Sequence, residues 1–118
     1  MGKMNKPKYE WVKEFPAEVM VCDSDGIICE MNTEAEMLFD MDGGRELLGS
    51  NVLDCHPDAA RNKLQHMMSA QTANSYFNTE NGKKRFFHQT PWYQNGHYAG
   101  FVEISFEVPV SIPHFLRG

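Results

Sequence analysis

Little in this sequence supports cross-linking, membrane insertion or nucleic-acid binding. It has three cysteines, Cys22, Cys29 and Cys55, and no two stand in a C-x-x-C pair. That leaves neither a disulfide framework nor a zinc knuckle and fits reduced thiols in a cytosol. No apolar run approaches the length that spans a bilayer, and no apolar segment follows Lys3 and Lys6 near the start. The expectation is a soluble, cytoplasmic protein with no membrane partner. Basic charge is also scarce: 11 Lys and Arg stand against 16 Asp and Glu, for a net charge of −5. Such a chain repels polyanions, so nucleic acid is not expected as a partner. The one dense basic run, Lys83-Lys84-Arg85, follows Asn81-Gly82 and reads as the solvated shoulder of a hairpin. The calcium-loop, H-E-x-x-H and phosphate-loop motifs are absent, which removes the usual signs of calcium, zinc and phosphate chemistry.

What is present is apolar bulk. The chain has 118 residues, 42% of them hydrophobic, with eight Phe, four Tyr and two Trp. That is enough to close one core without staples, and too short for two domains to be comfortable. Trp11, Val12 and Phe15 recur at near-helical spacing before Pro16, which predicts a short N-terminal cap helix. Val19–Cys22 and Ile27–Met31 are β-prone runs joined by Asp23-Ser24-Asp25-Gly26, a tight hairpin. Asn32 or Thr33 caps a short helix carrying Ala35, Leu38 and Phe39. Arg45–Leu48 gives one more helical turn, ended by Gly49, and Asn51–Asp54 reads as an extended link. The longest helix begins near Pro57, with Ala60, Leu64, Met67 and Met68 as its apolar stripe. Three strands follow, Tyr76–Thr79, Arg85–Tyr93 and Tyr98–Val108, turning at Asn81-Gly82 and Asn95-Gly96. The tail from Pro109 to Gly118 cannot continue a central strand and is expected to pack through Ile112, Phe115 and Leu116. The sum is an α+β domain of 1–118, with its core at about 14–108 and about five antiparallel strands with short helices on one face.

The order of these pieces and their wording resemble the PAS family. The opening hairpin V-M-V-C-D-S-D-G-I-I-C-E-M at Val19–Met31 is followed by Asn32, then R-E-L-L-G at Arg45–Gly49, then Asn95-Gly96-His97-Tyr98-Ala99-Gly100-Phe101 before the closing strand. More narrowly, Asp54-Cys55-His56-Pro57, Pro91-Trp92-Tyr93 and Ile112-Pro113-His114-Phe115 resemble small stand-alone prokaryotic PAS proteins. The resemblance implies a whole protein that signals by contact with a separate partner. It further implies either a small molecule or cofactor held between sheet and helices, or a ligand-free dimerisation module. A homodimer is expected under both readings, with the Tyr9–Phe15 segment or the outer sheet face as its contact. The pocket candidates implied are His56, His66, Asn32, Phe87, Gln89 and Trp92, with His88 and Thr90 as further polar positions.

The resemblance leaves the cofactor unknown. Haem sensors of this family use an axial His on the long helix, but aligning Gly49–Val52 and Pro57 with their pattern puts Leu64, not His66, in that position. Two residues on a helix turn a side chain by about 200°. The flavin photosensors need a reactive Cys in an N-C-R-F-L-type stretch, which is absent. As a third class, a small hydrolase or isomerase has only His56, Asp54 and His88 to draw on, with no spacing that brings them together. Cys55 and His56 are adjacent, so their side chains diverge. The modest reading gives His56 a ring nitrogen to hold the turn before Pro57 and Cys55 a small apolar space to fill.

Overall fold

Two kinds of turn organise the sheet. At the first hairpin the Asp23 carboxylate accepts from the backbone N–H of Asp25 and Ile27 at 2.9 and 3.0 Å, and Gly26 takes a φ of 85°. At the later hairpins Asn81-Gly82 and Asn95-Gly96 all adopt positive φ, the pattern of two-residue turns that match strand twist. The computed structural model describes residues 9–118, and the charged start with Lys3 and Lys6 lies outside them.

The strands are β1 (Glu18–Asp23), β2 (Ile28–Met31), β3 (Asn74–Glu80), β4 (Lys83–Gln94) and β5 (His97–Glu107), and the helices are α1 (Thr33–Leu38) and α2 (Asp58–Ala70). Three short 3₁₀ turns, Asp40–Asp42, Gly44–Leu47 and Val52–Cys55, lie between the helices. The sheet has five antiparallel strands in the order β2-β1-β5-β4-β3. Because strand side chains alternate, its register fixes two faces. The inner face carries Glu18, Met20 and Cys22 of β1 against Ser105, Glu103 and Phe101 of β5. It continues through Phe87 and Gln89 of β4 to Tyr76 and Asn74 of β3. On this face the helical layer packs in two clusters. Cys22 and Phe101 meet Met67 of α2, with Leu64 and Met68 alongside. Ile28 and Met31 meet Ala35 of α1. Val52 touches both clusters.

Asn32 ties three pieces together. It is 2% exposed, and its Oδ1 accepts from the N–H of Ala35 as the cap of α1 and from the N–H of Val19 on β1, each at 3.0 Å. Its Nδ2 donates to the carbonyls of Val12 and Ala17 at 3.1 and 2.8 Å. Gly100 permits a second close approach. A Cβ there would lie 2.0 Å from the Cys22 carbonyl oxygen, the acceptor that Trp92 Nε1 reaches at 3.0 Å.

Three local expectations are corrected. Tyr9–Phe15 forms turns closed by Lys13 N–H to Glu10 and Phe15 N–H to Val12, not a helix, since so short a segment ahead of a proline cannot offset nucleation. The expected link at Asn51–Asp54 winds instead into the 3₁₀ turn Val52–Cys55, capped by Asn51 Oδ1 on the Leu53 N–H at 2.9 Å. The tail does not pack: Ile112, Phe115 and Leu116 are exposed. The last strand bond there is Val108 N–H to Lys84, and Pro109 has no N–H with which to go on.

Replacing Asn32 therefore tests the frame. Asn32→Ala is expected to cost about 3 kcal/mol, a lost cap plus buried groups left unpaired. Asn32→Asp keeps both acceptor roles but faces the Val12 and Ala17 carbonyls with a carboxylate, so it is expected to recover little of that loss. Equilibrium urea unfolding of both variants checks this, and an Asp variant as stable as the parent would show that the two donated bonds contribute nothing.

Candidate functional site

Between the inner sheet face and the helical layer lies a cavity of about 310 Å³, near the lower end of sizes that hold small ligands. Its body is apolar, walled by Met20, Cys22 and Phe101 from the sheet, Phe39 and Leu47 from the segment after α1, and Val52 and Leu64 near α2. Its polar groups are few: Gln89, Glu103 and Tyr76 on the sheet side, His56 and Asp42 on the helical side. Gln89 is held from both ends. Its Nε2 donates to Glu103 Oε2 at 2.7 Å and its Oε1 accepts from Asn74 Nδ2 at 3.3 Å. His56 Nδ1 lies 2.7 Å from the Val52 carbonyl oxygen. A carbonyl can only accept, so Nδ1 carries the proton, and in the neutral ring Nε2 is an acceptor.

The sheet beside this polar end holds a buried carboxyl group. Glu18 is 0% exposed, as is Ser105, whose hydroxyl donates to Glu18 Oε1 at 2.5 Å. Arg85 donates through Nε to that hydroxyl oxygen at 2.9 Å and through a terminal nitrogen to the Ser105 carbonyl at 3.3 Å. Arg85 is thus drawn inward from the hairpin shoulder, unlike Lys83, which pairs with Glu107 at 3.9 Å. Burial first, then repulsion by Glu103, pushes the Glu18 carboxyl up to about 9, while Ser105 and Arg85 pull the other way. Geometry agrees with a neutral Glu18. Its Oε2 meets no donor, so the ion would leave a buried acceptor unpaired, whereas the acid can donate its proton toward Glu103. Burial also raises the Cys22 thiol above its ordinary value, which makes a wall of it and not a nucleophile.

The sequence candidates separate in space. His56, Phe87 and Gln89 line the cavity. Asn32 spends all its polar capacity on the frame described above and lines a different groove beside Trp11 and Arg45. Trp92 lies opposite Gly100, on the outer face. His66 is exposed on α2 while Leu64 faces the cavity, so the helix turns this imidazole away from the cavity. The remaining polar positions do not converge: His88 bonds Ser75 Oγ at 2.6 Å on the outer face, Thr90 shares that face, and Asp54 is exposed. The side chain of Cys55 lies outside the described residues. Among the described residues no group of three His, Cys, Asp or Glu could hold a metal ion. Glu18 and Glu103 were missed by sequence reasoning. The only signal for them was their place in the strand alternation, in step with Met20, Cys22 and Phe101.

No family model matches this chain, and no curated protein matches it. Solved structures do. The PAS domain of a protein from Colwellia psychrerythraea is 15% identical, with 84% of this chain and 92% of that one covered and a TM-score of 0.61. A sensory box sensor histidine kinase from Vibrio cholerae is 15% identical over 86% and 89%, with a TM-score of 0.59. The Aer2 receptor of Vibrio cholerae, a dual PAS-heme oxygen sensor, is 17% identical over 79% and 95%, with a TM-score of 0.55.

The buried carboxyl sets a pH dependence whose sign is fixed. Below the ordinary Glu value both folded and unfolded chains hold the proton. Above it the unfolded chain releases the proton and the folded one keeps it, so stability falls as pH rises toward about 9 and then levels off. Glu18→Gln removes this titration while keeping shape. Urea midpoints at about pH 5, 7 and 9 are expected to fall for the parent, by free energies on the order of a few kcal/mol, and to be much flatter for the variant. Parallel profiles would mean that Glu18 is ionised in the fold.

Proposed function

We propose that this chain, which has the PAS fold, is a sensor domain that binds a small molecule in the cavity between sheet and helices and reports occupancy to a separate protein. The observation that supports it is the cavity itself, with an apolar body and polar groups confined to Gln89, Glu103, Tyr76, His56 and Asp42. That is the layout of a binding pocket: apolar walls supply affinity and a few fixed polar groups choose the ligand. The roof is built of Phe39, the three 3₁₀ turns through Asp42, Leu47 and Val52, and Leu64 of α2, and turns so short have little stability of their own. Filling the space can therefore shift their positions, and with them the affinity for a partner. The reading is non-catalytic, because the cavity thiol stays protonated and the histidines do not meet.

A second observation favours self-association as well. The outer sheet face carries Val19, Val21, Val102, Ile104, Phe86 and Phe106 in register, and Phe77 beside them is 58% exposed. A contiguous apolar face of this kind marks a contact surface, and we propose a homodimer through it.

Native mass spectrometry of freshly purified protein, with an absorption spectrum, tests the first reading. A reproducible small-molecule adduct is expected, and Leu64→Trp, which fills the cavity from α2, is expected to abolish it while the circular dichroism of the sheet stays unchanged. An adduct that survives this substitution would place the ligand elsewhere, and a clean mass of two bare chains would favour the ligand-free dimer.

A further inference from the structure

The charge of the cavity wall goes further than its volume. Asp42 and Glu103 are carboxyl groups, and with Nδ1 donating to Val52 the other ring nitrogen of His56 is an acceptor in the neutral ring. Gln89 is committed to Glu103 and Asn74. No Lys or Arg is among the described residues of the lining. The nearest guanidinium in the sheet, Arg85, is turned to Ser105 and lies outside the lining. A ligand's anionic group would thus be desolvated against two carboxyl groups with no Lys or Arg in the lining to meet it, a cost that binding repays poorly. A protonated amine finds the reverse: acceptors from the sheet side and from the helical side, and apolar walls for its body. Charge-assisted hydrogen bonds from an N–H to carboxylate are among the strongest available. The acidic chain as a whole, at −5, favours the approach of cations too.

Resting on the cavity reading above, we infer that the ligand is a small, apolar-bodied amine, held by Glu103 and His56, and that carboxylates and phosphates are turned away. Glu18 backs this arrangement. Its uncharged carboxyl lies behind Glu103 on the same face and so adds no buried carboxylate beside it.

Three probes with one phenyl body separate the possibilities: phenethylamine, phenylpropanoate and ethylbenzene, titrated into the full chain and followed by calorimetry and thermal shift. The amine is expected to bind at least about tenfold more tightly than the carboxylate. Glu103→Gln is expected to shrink that preference to within about threefold, with ethylbenzene affinity measured alongside as the reference for any change in the cavity itself. Asp42→Asn, at the exposed rim, is expected to shrink it less, and serves if the Glu103 variant does not fold. If amine, acid and hydrocarbon bind alike, the charge selection is overturned and the cavity reading stands. If the acid binds best, or if Glu103→Gln keeps the full preference, the assignment is overturned as well. If none of the three binds, the cavity reading falls together with it.

Discussion

The Asn32 side chain holds α1, the start of β1 and the N-terminal turns in one frame. An Asn amide offers one acceptor and one donor group, and here both are used twice, for α1 and β1 on one side and for the Val12 and Ala17 carbonyls on the other. The same atom that caps the helix fixes the start of the strand carrying Glu18, Met20 and Cys22. A cap formed by Ser or Asp would hold α1 equally well but would leave the two carbonyls without donors. The amide is therefore specified by the N-terminal turns, not by the helix it caps.

The inner sheet face shows a second constraint, a balance between polarity and burial. Glu18, Ser105, Arg85, Gln89, Glu103 and Asn74 form a band across four strands, joined by the hydrogen bonds that run from Asn74 to Glu103 and from Arg85 to Glu18. A band of this kind adds less stability than Leu and Val would in the same place. The Tyr76–Phe87 stack, with ring centroids 4.9 Å apart, flanks it with a flat apolar surface.

Most of the architecture was legible in the sequence. Strand alternation, the Asn-Gly turns and the Asn32 cap are local signals, and each strand and both helices lie within a few residues of where those signals put them. The site was legible only in part. Phe87 and Gln89 fall two residues apart and so on one face, which alternation predicts once the face is known. Which face that is depends on the helical layer, and Trp92, out of step with both, came in through the resemblance and not through alternation. Glu18 was unreadable for a different reason: a lone Glu in a strand is ordinarily a solvent-facing residue, and only closure of β5 and Ser105 over it reverses that. Pattern likewise overreached at Tyr9–Phe15, where helical spacing is present but the segment is too short to nucleate.

The hydrogen bond from Trp92 to the Cys22 carbonyl joins the two faces of the sheet through a single peptide. The indole lies outside, the thiol of the residue it grips lies against the cavity, and Gly100 between them is the gap that lets the contact form. A displacement of β1 normal to the sheet moves the acceptor of that bond. The protein thus carries an intrinsic fluorophore whose polar end is attached to the cavity wall, while its other tryptophan, Trp11, is 69% exposed and stands apart as an internal reference for emission.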